Sequence, residues 1–218
     1  TDFQFVTSDS AASTNTGSGI PFLSVNLYEG TFVTTRYTVD STDADQRFLV
    51  PNRRADTSTL KVTVQNSSSD STTTTFTQAT DITQVTAASD VYFLQEVENG
   101  KFEVYFGDGV IGASLDDGNI IILTYVVSNT TDANGASLFK NATTIANISD
   151  ISVEVLDVAN GGSEPETITS IKYNAPLDYA AQGRCVTAED FKVYALKLYA
   201  NAQSVQVFGG ENGSFDSS

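Results

Sequence analysis

The sequence predicts a mainly β protein with α+β character, in which an antiparallel β-sandwich-like domain is followed by a small α+β domain. Three observations predict this fold class. Thr, Ser, Val and aromatic residues are abundant, which favours strands and polar loops. Segments of alternating apolar residues recur about every ten residues as far as Val127, with turn residues between them. Two segments of the last third carry helix signals instead.

These patterns divide the 218 residues into four segments. Residues 1–27 hold an N-terminal strand and a polar loop, and residues 28–128 form the β-sandwich-like domain. Residues 129–149 are a connection of low periodicity, and residues 150–218 form the α+β domain with two helices. Because the chain starts at Thr1 and contains no Met, we expect it to be a piece of a longer protein.

The strands of the first half are expected where Val, Thr, Ile and aromatic residues cluster between turns. Asn99-Gly100 between two such segments is a strong hairpin signal. The last segment is almost wholly apolar, which predicts a strand covered on both faces. The expected strands are 3–6, 22–28, 31–39, 47–50, 60–64, 72–77, 91–97, 101–106 and 120–127.

The last third predicts the order β-α-α-β. A strand is expected over residues 151–158, and a capping box at 163–166 would start a helix that Pro176 stops after about Tyr173. Thr187, with Asp190 three residues later, starts a second helix that runs to about residue 201. A final strand is expected at 204–208.

Composition excludes several classes of function. The chain has 11 Lys and Arg against 27 Asp and Glu, a net charge of −16, so we expect no nucleic acid and no membrane as a partner. It contains no His, which excludes a Ser-His-Asp or Cys-His catalytic site within it. The lone Cys185 excludes an internal disulfide and a multi-Cys zinc site.

Two short motifs resemble catalytic or cofactor-binding signatures. The segment 107–112 matches the GxGxxG pattern of dinucleotide-binding folds, but a strand follows it where that fold requires a helix. We therefore interpret it as a Gly-rich connection between antiparallel strands. Asp56-Thr57-Ser58 resembles the triplet of aspartic proteases, but no second triplet exists, and a turn is the favoured interpretation.

The acidic loops at 40–45 and 116–119 carry oxygen ligands of the kind that Ca²⁺ prefers. Neither follows the EF-hand pattern with its closing Glu, so we interpret both as solvated turns. We therefore predict no metal site, no cofactor and no catalytic residue, although paired carboxylates for glycoside hydrolysis stay open as an alternative.

Two stretches, taken in order and spacing, resemble one known family. The first runs from Val91 to Tyr125 and includes Tyr105-Phe106-Gly107-Asp108-Gly109. The second contains Asn174-Ala175-Pro176 and then Gln182-Gly183-Arg184-Cys185-Val186-Thr187, closing on Asp190-Phe191. Both are similar to the baseplate J-like family, specifically the baseplate wedge proteins of contractile-tail bacteriophages. Cys185 stands where that family usually has a small residue such as Ala.

The resemblance implies a structural role and no catalysis. Wedge proteins of this family form a ring around the tail tube, contact themselves and other wedge subunits, and rearrange when the sheath contracts. It therefore implies a virion location in the tail baseplate, assembly in the host cytoplasm, and homodimer or ring contacts. The structural or interaction candidates are Gly107, Asp108, Gly109, Gly112, Gly183, Arg184, Thr187 and Asp190.

Two other functions stay open at this point. The first is a virion-surface or secreted β-sandwich adhesin that binds glycan, and the second is a tail-associated hydrolase. If the chain is a ring subunit, we expect the α+β domain to present a partner surface through its helices. Phe191, Tyr194 and Leu198 would anchor the second helix to its domain, while Lys192 and Tyr199 would remain outside.

Overall fold

The computed structural model describes residues 2–7, 24–43, 45–141, 152–199, 202 and 204–209. The chain divides into two compact units, Thr1–Asn129 and Thr130–Ser218. The described part of the first unit contains the strands, and that of the second contains the helices. The strands are β1 Phe5–Val6, β2 Tyr28–Glu29, β3 Thr31–Thr38, β4 Phe48–Val50, β5 Ala55–Gln65, β6 Thr73–Gln78, β7 Val91–Val97, β8 Lys101–Phe106 and β9 Ile120–Val127.

Seven of these strands form one sheet in the order β3-β9-β5-β6-β7-β8-β4, and β1 pairs with β2 separately. All described neighbours in the large sheet are antiparallel except β6 and β7. Residues 79–90 join that parallel pair, and β7 begins beside the end of β6, since Val91 lies opposite Thr77 and Tyr92 opposite Gln78. The predicted hairpin is confirmed, since Asn99 and Gly100 join β7 to β8 with φ angles of 64° and 66°.

The sheet curls until its two edge strands approach each other. The Tyr37 hydroxyl on β3 donates a hydrogen bond of 2.6 Å to the carbonyl oxygen of Leu49 on β4. The rings of Tyr37 and Phe48 also lie 5.7 Å apart. The predicted fold class, mainly β with two late helices, is confirmed. Its β part is one nearly closed barrel rather than two separate facing sheets.

The core of the first unit fills this barrel. Ile121, Leu123 and Tyr125 of β9 are fully buried, and so is Val126, whereas Ile122 and Thr124 are half-buried. Phe106 meets the rings of Phe48 and Phe76 edge-on, at 5.7 and 5.3 Å. A central strand that packs on both sides explains why β9 is nearly continuous in apolar residues.

Two expectations for the first unit are wrong in detail. The strand expected over 22–28 is present only as Tyr28–Glu29, because residues 24–27 are exposed and pair with no described strand, and 22–23 lie outside the described residues. The 56–58 triplet belongs to β5 instead of a preceding turn. There the pairing of β5 with β9 shifts between Asp56 and Lys61, which makes a bulge.

The helices of the second unit are α1 Ile168–Ala181 and α2 Ala188–Leu198. The start of α2 is confirmed, but both predicted ends of α1 are wrong. The N-cap of α1 is Thr167, whose hydroxyl accepts a hydrogen bond from the backbone of Ser170, and Pro176 lies inside the helix. Proline removes one backbone hydrogen bond, and the helix continues beyond it because the φ angle that proline imposes is helical. Neither described helix is long and apolar enough to cross a membrane.

The two strands expected in the last third are also wrong. The described residues of those segments, 152–158 and 204–208, contain no strand, and Ile151 lies outside the described residues. A strand needs a neighbour to satisfy its backbone groups, and no described segment pairs with either one. The side chains of Val153, Leu156 and Val158 are accordingly exposed.

Candidate functional site

The first candidate segment is the loop 107–112, which follows β8. The Asp108 carboxylate accepts hydrogen bonds from the backbone amides of Val110 at 2.9 Å and Ile111 at 3.0 Å. These bonds, chiefly that from Ile111, lower the pKa of Asp108 because they stabilise its charged form. The amide of Gly109 donates to the carbonyl oxygen of Gly112 at 3.0 Å and closes the turn.

Steric constraints require glycine at two places in this loop. A Cβ atom on Gly107 would lie 2.3 Å from the carbonyl oxygen of Ile111, and Gly109 has a φ angle of 84°. The amide of Gly112 donates to the carbonyl oxygen of Thr86, which ties the loop to the preceding connection. The loop leads to β9 without a helix, so it lacks the helix N-terminus that a dinucleotide site needs.

This loop is the expected Gly-rich connection between two strands, but those strands do not pair with each other. β8 and β9 are not neighbours in the sheet, so the connection crosses from the β4 side to the β3 side of the barrel. Its tip exposes two apolar side chains, Val110 and Ile111. The glycines therefore shape a compact crossing loop with an apolar tip.

The second candidate segment, 183–190, joins the two helices. Gln182 and Gly183 both adopt left-handed backbone conformations, and the amide of Arg184 donates to the carbonyl oxygen of Ala181 at 2.9 Å. The Arg184 guanidinium donates to the side-chain oxygen of Gln182 at 3.1 Å. Left-handed geometry at Gln182 as well as at Gly183 turns the chain from α1 towards α2.

Thr187 and Asp190, which were predicted to start the second helix, form a capping box at the start of α2. The Thr187 hydroxyl accepts a hydrogen bond from the Asp190 amide at 3.2 Å, and the Asp190 carboxylate accepts from the Thr187 amide at 2.8 Å. The carboxylate also accepts from the Val186 amide at 3.1 Å. The bonds to the carboxylate, chiefly that from the Thr187 amide, lower the pKa of Asp190, and the positive charge of Arg184 lowers it further.

The structure thus gathers the eight predicted residues into two separate clusters. Gly107, Asp108, Gly109 and Gly112 share one loop of the first unit, and Gly183, Arg184, Thr187 and Asp190 share one turn of the second. Each cluster fixes a backbone conformation. Among the described residues, no group of three or more acidic or cysteine side chains is placed to hold a metal ion.

The helix pair exposes more apolar surface than expected. Leu198, expected as an anchor, is 76% exposed, and Phe191 is 50% exposed. Tyr194 is half-buried, as is Lys192, which was expected outside, and Tyr199 is exposed. The reason is the lack of a core, since Ala133 and Ala181 are the buried hydrophobic residues among those described in this unit. Other exposed apolar side chains of α1 are Ile168, Ile171, Tyr173 and Tyr179.

Sequence reasoning missed a basic cleft in the first unit. Arg53, Arg54 and Lys101 line it together with Val33 and Tyr125, and its volume is about 520 Å³. Arg53-Arg54 was visible as a pair of adjacent cations in the sequence. Lys101 lies in the same cleft because β4 pairs with β8, with Val50 opposite Phe102. No local sequence pattern predicts that pairing.

Comparison with known proteins finds a similarity for the barrel. Residues 33–131 match the family model described as bacteriophage baseplate wedge protein gp6, third domain. That segment is therefore similar to the third domain of the gp6 wedge proteins. The match spans β3 to β9 and includes the loop 107–112, whereas the turn 183–190 lies beyond it.

A curated relative shows the same similarity. The chain is 30% identical, over an alignment of 145 residues, to the baseplate wedge protein gp6 of Enterobacteria phage T4. The alignment covers 56% of this chain and 22% of that relative, so the chain spans about a fifth of the relative's length. The predicted resemblance to baseplate wedge proteins of contractile-tail phages is confirmed.

Proposed function

We propose that this chain is part of a structural subunit of a phage tail baseplate wedge. The observation that carries the proposal is the match of residues 33–131 to the gp6 third-domain family. The subunit would join a ring around the tail tube and contact copies of itself and other wedge proteins during assembly and sheath contraction. Its location would be the baseplate of the virion tail, reached by assembly in the host cytoplasm.

The proposed role is mechanical and involves no catalysis. The chain contains no His. Hydrogen bonds from nearby backbone and side-chain groups lower the pKa values of several carboxylates, among them Asp40, Asp81 and Asp108. A catalytic acid needs the opposite shift, because it must hold its proton near neutral pH. Hydrogen-bonded surface carboxylates of this kind fix turns.

The helix pair supplies the proposed partner surface. Apolar side chains of α1 and α2 that no described residue covers are typical of an interface. The turn 183–190 and the loop 107–112 would hold fixed backbone shapes at contact sites, with Arg184 available to a carboxylate or carbonyl of a neighbour. A chain at −16 resists close self-packing, so the isolated chain should form at most weak dimers, and these should strengthen at higher salt.

Co-purification tests this proposal. The full-length protein, expressed with the other tail proteins of its phage, should elute as part of a large assembly. Replacing Tyr179 and Leu198 by Ser should reduce that association, because both side chains are exposed apolar residues of the helix pair. Leu138→Ser is the matched control, since Leu138 is 95% exposed and lies outside both helices.

Two results would contradict the proposal. The first is a full-length protein that stays monomeric at high concentration and binds no tail protein. The second is saturable glycan binding by the isolated chain, which would favour the adhesin. Hydrolysis of a host polysaccharide would favour the tail-associated hydrolase instead.

A further inference from the structure

The basic cleft lies beside the open seam of the barrel, between edge strands β3 and β4. Val33 contributes from β3, and Pro51 follows the last residue of β4. Each of these strands pairs with one described neighbour, so each has a free edge towards the seam. The cleft is therefore open to solvent and is flanked by the free backbone edge of β3, whereas on β4 the Leu49 carbonyl oxygen already accepts from Tyr37.

The charge at this seam is opposite to that of the whole chain. The chain carries 11 basic residues at a net charge of −16, and Arg53, Arg54 and Lys101 meet at this one cleft. None of their side chains forms an ion pair with a described carboxylate. Three neighbouring cations without a described counter-charge make a local positive field, which attracts an anion.

Tyr125 provides a second, independent observation. It lines the cleft and is fully buried, yet its hydroxyl has no hydrogen-bond partner among the described residues. A buried hydroxyl without a partner is costly, and such groups are rare in folded proteins. A partner that accepts a hydrogen bond would remove this cost.

We propose that the basic cleft binds a carboxylate of an acidic polypeptide segment. The guanidinium groups of Arg53 and Arg54 and the ammonium group of Lys101 would neutralise the carboxylate, and the Tyr125 hydroxyl would donate a hydrogen bond to it. The site is distinct from the helix pair and from the two candidate segments, so it adds a contact that the proposed function does not require.

Two features favour a polypeptide over other sources of an anion. The free edge of β3 beside the cleft offers backbone hydrogen bonds, which an extended peptide can satisfy. A nucleic acid brings a row of phosphates, and beyond the cleft these would meet the field of a chain at −16. The three cations of the cleft are enough to neutralise a segment that carries one or two carboxylates.

Binding of a short acidic peptide tests the proposal. Fluorescently labelled hexaglutamate should bind the 218-residue chain saturably in an anisotropy titration at low salt, and more weakly at high salt. Hexaglutamine should not bind. The double change Arg53→Ala with Arg54→Ala, and separately Lys101→Ala, should each weaken the binding roughly tenfold or more. Lys61→Ala is the matched control, because Lys61 is exposed on β5 and does not line the cleft.

Tyr125→Phe separates a binding role from a folding role. It removes only the unpartnered hydroxyl, so the melting temperature of the free chain should stay the same or rise while hexaglutamate binding weakens severalfold. Unchanged binding in this variant and in the double Arg variant would overturn the proposal. An equal loss in Lys61→Ala, or tighter binding of inorganic phosphate or of a single-stranded oligonucleotide, would also overturn it. None of these outcomes bears on the wedge role, which co-purification tests separately.

Discussion

At the bulge in β5, the Thr59 side chain supplies a hydrogen bond where the backbone pairing with β9 is interrupted. The register jumps from Asp56 opposite Val126 to Lys61 opposite Thr124, so residues 57–60 share one partner on β9. The Thr59 hydroxyl donates to the carbonyl oxygen of Asp56 at 2.7 Å and accepts from the amide of Val126 at 2.9 Å. Val126 is fully buried, so this hydroxyl satisfies an amide that water does not reach.

We therefore predict that Thr59→Val destabilises the first unit. Valine has the same shape but leaves the buried Val126 amide and the half-buried Asp56 carbonyl without this partner, which should lower the free energy of unfolding by about 1–3 kcal/mol. Urea unfolding followed by circular dichroism measures the change. Thr59→Ser keeps the hydroxyl and should retain more of the stability; equal losses in both variants would contradict the role of the hydrogen bonds.

Acid should destabilise the protein through its hydrogen-bonded carboxylates. The Asp81 carboxylate accepts from the hydroxyl of Thr83 at 2.6 Å and from its amide at 2.9 Å, and these bonds lower its pKa. Hydrogen bonds also lower the pKa values of Asp40, Asp70, Asp108, Glu166 and Asp190. Since each folded pKa lies below the unfolded value of about 4, the added stability is present above that pH and is lost as the pH falls through the folded values.

The expected result is a melting temperature that falls steadily between about pH 4 and pH 2. Asp81→Asn keeps an oxygen acceptor for Thr83 but does not titrate, so its melting temperature should depend less on pH in this range. A wild-type curve that is flat below pH 4 would show that these bonds do not favour the charged carboxylates in the folded state.

At the residue scale, the sequence predicted what local chemistry determines. The start of α2 at Thr187 depends on Thr187 and Asp190, which lie three residues apart. The basic cleft was not predictable in this way. Lys101 reaches Arg53 and Arg54 only through the pairing of β4 with β8.

At the scale of single elements, the two helices differ in how they begin. α2 starts at a complete capping box, whereas α1 starts at Thr167, whose hydroxyl alone accepts a backbone hydrogen bond. The sequence pattern placed the cap of α1 at 163–166. Glu166 instead accepts from the hydroxyl of Ser170 at 2.6 Å and from the amide nitrogen of Asn174. Pattern alone does not decide between two nearby polar residues that compete for one helix start.

We predict that Thr187→Ala frays the start of α2. It removes the hydroxyl that accepts from the Asp190 amide, which should cost about 1 kcal/mol. Amide hydrogen exchange across residues 188–192 should therefore quicken. Ser163→Ala is the control, because Ser163 lies outside the cap of α1, and it should leave exchange in both helices unchanged. Faster exchange in α1 of the Ser163→Ala variant would instead support the cap predicted at 163–166.

At the scale of the whole molecule, the core belongs to one unit. Every residue of the buried hydrophobic cluster lies between Val39 and Tyr125. We therefore predict that a fragment of residues 1–129 folds alone and melts cooperatively near the temperature of the full chain. Circular dichroism and tyrosine fluorescence measure this, and a non-cooperative melt of the fragment would contradict it.

The number of strands in the large sheet was predictable, but their arrangement was not. Alternation and turns locate β3 to β9 one at a time, because each signal lies within a few residues. Strand order, the parallel pairing of β6 with β7 and the closing contact of Tyr37 with Leu49 depend on which edges meet. In the last third, the alternating segments have no pairing partner and form no strand among the residues that the structure describes.

The place of β9 in the sheet has a consequence for biosynthesis. β9 is the last strand of the first unit to leave the ribosome, yet it lies between β3 and β5, which do not pair with each other. A nascent chain that ends before Ile120 therefore presents the free edges of β3 and β5 together, with the apolar side chains of Val62 and Val64 uncovered. Such intermediates are prone to aggregate, and pairing over long sequence separation is slow. The sheet is complete only after β9 has been made, so translation pauses just upstream of β9 would lower the yield of folded protein more than pauses after it.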